Sequence, residues 1–130
     1  MNPKPILVVD DEPAILDMMA ELLGYEGYQV VTTGEGTVAL ARAKVDPPAL
    51  ILLDLMMPGM SGWQVIDALQ ASPQTRAIPV VLISARRDLP TAALDLGAVT
   101  FLTKPFDIDE LLEIVRAHAG LSTDGASSSS

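Results

Sequence analysis

No cysteine occurs in the chain, which excludes a disulfide framework and any thiolate metal site and leaves a reducing compartment compatible. Histidine is nearly absent too: His118 stands alone, near the end of the last expected helix, where a cation suits the helix C-terminus. Basic residues are scarce, eight against seventeen acids, for a net charge of −9. Such a charge repels phosphate backbones and anionic lipid surfaces, so no direct nucleic-acid binding and no membrane binding are expected. Long apolar runs are lacking. The N-terminal stretch Met1-Asn2-Pro3-Lys4-Pro5 leads into only Ile6–Val9 before Asp10, too short for a secretory core and far below the ~20 residues of a membrane span. A cytoplasmic location is expected.

What is present is an alternation of strand-like and helix-like stretches in a 130-residue chain that is 49% apolar, a size that fits one domain. Strands are predicted over Ile6–Val9, Tyr28–Thr32, Ala49–Leu53, Ile78–Ile83 and Ala98–Leu102. Helical spacing follows each. Pro13 suits the first turn of a helix carrying Ile15, Met18, Met19, Leu22 and Leu23; a second helix spans Thr37–Val45 and ends at Asp46-Pro47-Pro48; a third spans Trp63–Ala71. A short helix bearing Leu89, Ala92, Ala93 and Leu96 stops at Gly97, and Asp107 with Glu110 forms a start resembling a capping box for the last helix, through Ala119. Strict βα alternation implies right-handed crossovers and a parallel sheet covered on both faces. The expected fold class is α/β, a flavodoxin-like (βα)5 doubly wound sheet of strand order 2-1-3-4-5. Residues 1–121 form the expected domain. The Ser/Gly-rich segment 122–130 reads as a disordered tail or the start of a linker.

Four of the expected strands run into groups suited to one phosphate-transfer site: Asp10 and Asp11, Asp54, Ser84, and Lys104. In the order 2-1-3-4-5 those strands are consecutive, so the residues converge on one sheet edge, where open α/β folds place ligands. Three carboxylates packed together repel and raise one another's pKa unless a counter-charge is supplied. With oxygen ligands only, the cation should be hard, and Mg²⁺ is favoured because it binds one or two carboxylates together with waters and phosphate oxygens. A positioned carboxylate can then attack phosphorus, with Lys104 and the Ser84 hydroxyl on the remaining phosphoryl oxygens.

Val8-Val9-Asp10-Asp11-Glu12, Asp54-Leu55-Met56-Met57-Pro58-Gly59-Met60-Ser61-Gly62, Ser84-Ala85-Arg86 and Phe101-Leu102-Thr103-Lys104-Pro105-Phe106 together resemble the receiver domain of bacterial two-component response regulators. The resemblance covers roughly residues 5 to 120. It implies that Asp54 is the phosphoacceptor, taking a phosphoryl group from a sensor histidine kinase or a histidine phosphotransfer protein. It implies that Asp10 and Asp11, with Asp54 and the backbone carbonyl of Met56, hold Mg²⁺. Ser84 and Lys104 become the phosphoryl-sensing pair, Phe101 the aromatic switch, and Lys104-Pro105 a cis peptide. A monomer or a phosphorylation-dependent dimer acting on a downstream effector follows, a switch rather than a metabolic enzyme. Two departures stand out. The stretch from Ser84 to Lys104 looks about two residues shorter than is usual in that family, which bears on the usual output face, and Phe101 replaces the common Tyr, which should favour burial of the ring.

Each residue also has a plain structural reading. Three acids before a helix complement its dipole, Asp54 and Ser84 suit turns, and Lys104 suits a surface. Met18 and Met19 read as core filler, Met56, Met57 and Met60 as partly exposed packing, and Trp63 as a core-edge residue. Arg86 and Arg87 read as solvated charges or as facing the phosphoryl entrance. The same residues bear on other classes. A haloacid-dehalogenase-type phosphohydrolase places its nucleophile and acid two residues apart on the first strand, unlike Asp10-Asp11. A flavin-binding flavodoxin needs a Ser/Thr-rich phosphate loop that is absent here, and a pseudo-receiver would not keep the full set Asp10, Asp11, Asp54, Ser84 and Lys104.

Overall fold

The computed structural model describes residues 4–85 and 97–119. Five parallel strands form one sheet in the order β2-β1-β3-β4-β5, the flavodoxin-like order expected. They are β1 (Ile6–Val9), β2 (Val30–Thr33), β3 (Leu50–Asp54), β4 (Val80–Ser84) and β5 (Thr100–Thr103). Four helices are described: α1 (Pro13–Tyr25), α2 (Gly36–Val45), α3 (Gly62–Ala71) and α4 (Ile108–Ala119). The expected helix around residues 89–96, Arg86 and Arg87, and the tail 122–130 lie outside the described residues.

The β-branched and leucine runs alternate sides along each strand, which divides the core in two. Leu7, Val9, Ile51, Leu53 and Leu82 face one layer with Ala39 and Ala43 of α2 and Val65, Ile66 and Leu69 of α3. Ile6, Val8, Leu50, Leu52, Val81, Ile83 and Leu102 face the other, with Met19 and Leu23 of α1 and Leu111, Leu112 and Val115 of α4. β1, β3 and β4 are buried along their whole length, as continuous apolar strands covered on both faces must be.

Several boundaries differ from the sequence expectation. β2 begins at Val30 rather than Tyr28 because the Tyr28 N–H is spent on the Leu23 carbonyl (3.1 Å), closing the end of α1, and pairing begins only when Gln29 accepts from the Ile6 N–H (2.8 Å). β4 begins at Val80 because Ile78 donates to Thr75 (3.1 Å) and Pro79 has no N–H to give. β3 and β4 each extend one residue further than expected, so Asp54 and Ser84 are their last ladder residues. β5 runs Thr100–Thr103 rather than Ala98–Leu102, its approach held by the Val99 N–H on the Val80 carbonyl (2.9 Å). The capping box lies on α3, where Ser61 and Gln64 exchange side-chain and main-chain bonds. At α4, Asp107 caps by accepting from the Asp109 N–H (3.2 Å). Met57 is buried rather than partly exposed, turned into the layer beneath α2 and α3, whereas Met56 is exposed. Trp63 packs at the edge of that same layer.

Candidate functional site

The ladder sets the depth of each group. Val9 stands opposite Leu53, Asp54 opposite Ile83, and Ser84 opposite Thr103. Asp10, one residue past Val9, therefore comes level with Asp54, while Ser84 and Lys104 stand one or more residues beyond, at ~3.3 Å each. Main-chain bonds fix these ends: Asp10 N–H to Thr33 (3.1 Å), Leu55 N–H to Ile83 (3.0 Å), and Lys104 N–H to the Ser84 carbonyl (2.8 Å).

Asp54 is 3% exposed and Asp10 2%. The Oδ1 of Asp54 accepts from the Met56 N–H at 3.1 Å and its Oδ2 lies 3.5 Å from the Lys104 ammonium. Asp10 divides its oxygens in the same way, Oδ1 accepting from the Glu12 N–H (2.9 Å) and Oδ2 from Lys104 Nζ (2.8 Å). Asp11 is exposed, and one carboxylate oxygen from each of Asp10, Asp11 and Asp54 fits within 4.8 Å of the others. Lys104 also donates to Glu12 Oε1 at 3.2 Å. The Lys104–Pro105 peptide bond is cis.

Burial pushes the Asp54 carboxyl up to about 6; the Met56 N–H and Lys104 pull it down, while Asp10 and Asp11 push it up further. Burial alone would lower Lys104, yet its hydrogen bond to Asp10, the charges of Asp54 and Asp10 and its hydrogen bond to Glu12 outweigh that and hold it above its ordinary value. Among the described residues, three carboxylates with a single close ammonium leave a net negative mouth whose metal-ligating groups are carboxylate oxygens, which suits a hard divalent cation. Asp10, Asp11 and Asp54 are the residues that could hold it.

Ser84 is 5% exposed at the end of β4. Phe101 is partly buried and packs against the layer shared with α2 and α3. Of the predicted residues, the fold thus brings Asp10, Asp11, Asp54 and Lys104 together, sets Ser84 beside them through its main-chain bond with Lys104, and leaves Phe101 on the far side of β5 from Leu102. In the sequence Glu12 is only one of a run of acids; its hold on Lys104 spans 92 residues. The one local signal was its place directly ahead of Pro13 at a helix start.

A family model described as response regulator receiver domain matches residues 6–116. The chain belongs to that family. This receiver is 42% identical over 123 residues to the transcriptional regulatory protein KdpE of Mycobacterium tuberculosis, covering 93% of this chain and 53% of KdpE. Among solved structures it is similar to the chemotaxis protein CheY4 of Vibrio cholerae, with 28% identity, a TM-score of 0.82, and coverage of 90% of this chain and 99% of that one. It is also similar to the receiver domain of the sensor histidine kinase PA1611 from Pseudomonas aeruginosa, whose structure has a magnesium ion coordinated in the active-site cleft (26% identity, TM-score 0.82, 92% of this chain and 99% of that one). The receiver spans about half the length of KdpE and of the other transcriptional regulators it matches. Among the described residues no helix is long and apolar enough to cross a membrane.

Proposed function

We propose that this receiver is switched by phosphorylation of Asp54. The observation that carries the reading is a buried carboxylate at the end of the central strand, level with Asp10 and 3.5 Å from an ammonium. A phosphohistidine of a sensor kinase or phosphotransfer protein is the donor: an Asp54 oxygen attacks phosphorus, the P–N bond breaks, and the imidazole leaves with the electron pair. The product is an acyl phosphate. Asp10, Asp11 and Asp54 would hold Mg²⁺, with the Met56 carbonyl as a further ligand, and the ion supplies charge neutralisation at the transferring phosphoryl group. The domain's own residues promote both transfer and the later hydrolysis, with no metabolic substrate.

Met56 donates its N–H to one Asp54 oxygen, leaving the other on the Lys104 side. After transfer, Lys104 and the Ser84 hydroxyl would bind phosphoryl oxygens, and the movement of Ser84 would be followed by Phe101. We assign residues 1–121 to this domain and place it in the cytoplasm. Its net charge of −9 argues that this part of the molecule reads a protein partner rather than nucleic acid. The phosphorylated form acts on its effector as a monomer or as a dimer.

Incubation with Mg²⁺ and acetyl phosphate is expected to add one acid-labile, hydroxylamine-sensitive phosphoryl group to wild type and none to Asp54→Asn. Equal labelling of Asp54→Asn would sink the assignment. Omission of Mg²⁺ is expected to abolish labelling.

A further inference from the structure

Among the described residues Lys104 has three carboxylate neighbours: Asp10 at 2.8 Å, Glu12 at 3.2 Å and Asp54 at 3.5 Å. Two of these belong to the acidic trio that could hold a metal ion; Glu12 does not. A divalent cation on the trio repels an ammonium that sits on the same oxygens. Lys104 must then give up ground on Asp10 and Asp54, and Glu12 is the carboxylate that stays available to it.

Glu12 is built for that task. It occupies the N-cap position of α1, where an acidic side chain ordinarily bonds the exposed N–H groups of its own helix. Here it makes no such bond. Its main chain is pinned instead, with its carbonyl accepting from Ile15 (3.0 Å) and Leu16 (3.2 Å) and its N–H donating to Asp10 Oδ1 (2.9 Å). The side chain is left to reach across to Lys104 at the end of β5.

From this geometry we infer that Glu12 is a positioning residue: it retains the Lys104 ammonium at the mouth of the site while a divalent cation occupies Asp10, Asp11 and Asp54. The inference rests on the proposed reading of those three acids as the Mg²⁺ carboxylates. Glu12 then eases cation entry by giving the displaced ammonium a partner, and it keeps that ammonium within reach of the phosphoryl group to come.

Calorimetric titration of the intact chain with MgCl₂ alone separates this from a simple charge effect. Glu12→Gln removes charge and pairing, whereas Glu12→Asp keeps the charge but shortens the reach by one methylene. Both variants are expected to bind Mg²⁺ about three- to fivefold more weakly than wild type, the scale of one part-exposed ion pair. In a Lys104→Met background the Glu12 substitutions are expected to change the affinity no further. Asp binding like wild type while Gln does not, or an undiminished Glu12→Gln effect without Lys104, would mean that Glu12 acts only as a distant charge and overturns the inference. Should Lys104→Met not fold, the comparison of Gln with Asp decides alone. Wild type that binds no Mg²⁺ overturns the metal reading itself and this inference with it; normal Mg²⁺ binding that is indifferent to Glu12 overturns this inference only.

Discussion

At Gly62 the start of α3 runs so close to the end of β3 that a Cβ would stand 2.6 Å from the Leu55 Cα and nearer still to the Asp54 carbonyl oxygen. Both obstacles are main chain and cannot rotate away. Gly62 also donates its N–H to the Leu55 carbonyl at 3.1 Å, so the helix start and the strand end are fastened at the point where Asp54 is presented. Gly62→Ala must push Asp54 and Leu55 aside. Overpacking of this kind costs about 1–3 kcal/mol, and a urea titration is expected to show it, together with slower labelling of Asp54 by acetyl phosphate. Unchanged stability and labelling would show that the β3–α3 junction yields freely. Gly36 is a softer case, since the nearest obstacle there is a Val65 methyl at 2.7 Å rather than main chain.

Among the elements, the two helices that start beside the site begin differently. α3 carries a full capping box from Ser61 and Gln64, and Ser61→Ala is expected to lower stability by about 1 kcal/mol, read as a shift in the denaturation midpoint at constant slope. α1 has Pro13 in its first turn and no side-chain cap from Glu12. This contrast shows what the sequence could convey. Continuous apolar runs such as Leu50–Leu53 reveal buried parallel strands because covering both faces demands them, and strand order follows from βα alternation. The reactive strand ends were legible for the same reason. Boundaries were not, because a strand starts where main-chain groups become free to pair, and Tyr28 and Pro79 are decided by neighbours or by a missing N–H. The cap at Ser61 was hidden by Gly62, a weak helix former that the close approach to β3 requires. The Glu12–Lys104 contact was hidden because periodicity says nothing about side chains 92 residues apart.

Over the molecule as a whole, the acidic site is a source of instability. The Asp54 carboxyl titrates near 6 in the folded chain against an ordinary value of 3.8, so between these values the unfolded chain loses its proton first. The stabilising contribution of the protonated form is complete below about 4 and is lost as pH rises through about 6, a change on the order of 2–3 kcal/mol. Unfolding in EDTA is therefore expected to show wild type losing stability across that window and Asp54→Asn losing much less, with the variant the more stable protein at pH 7.5. Parallel pH profiles would assign the loss to the general repulsion of a −9 chain instead.

The alternation that splits the core also assigns sides to the strand ends. Asp54 continues the row of Leu50 and Leu52, toward α1 and α4, whereas Ser84 continues the row of Val80 and Leu82, toward the layer against which Phe101 packs. Under the proposed function one chemical event would have two audiences, one on either side of a membrane-thin partition of five strands. A single-residue insertion in β4 would exchange the rows and leave Ile83 at the listening position. It would deafen the side bearing Phe101 while Asp54, Asp10 and Lys104 kept their chemistry, parting phosphorylation from response within one fold.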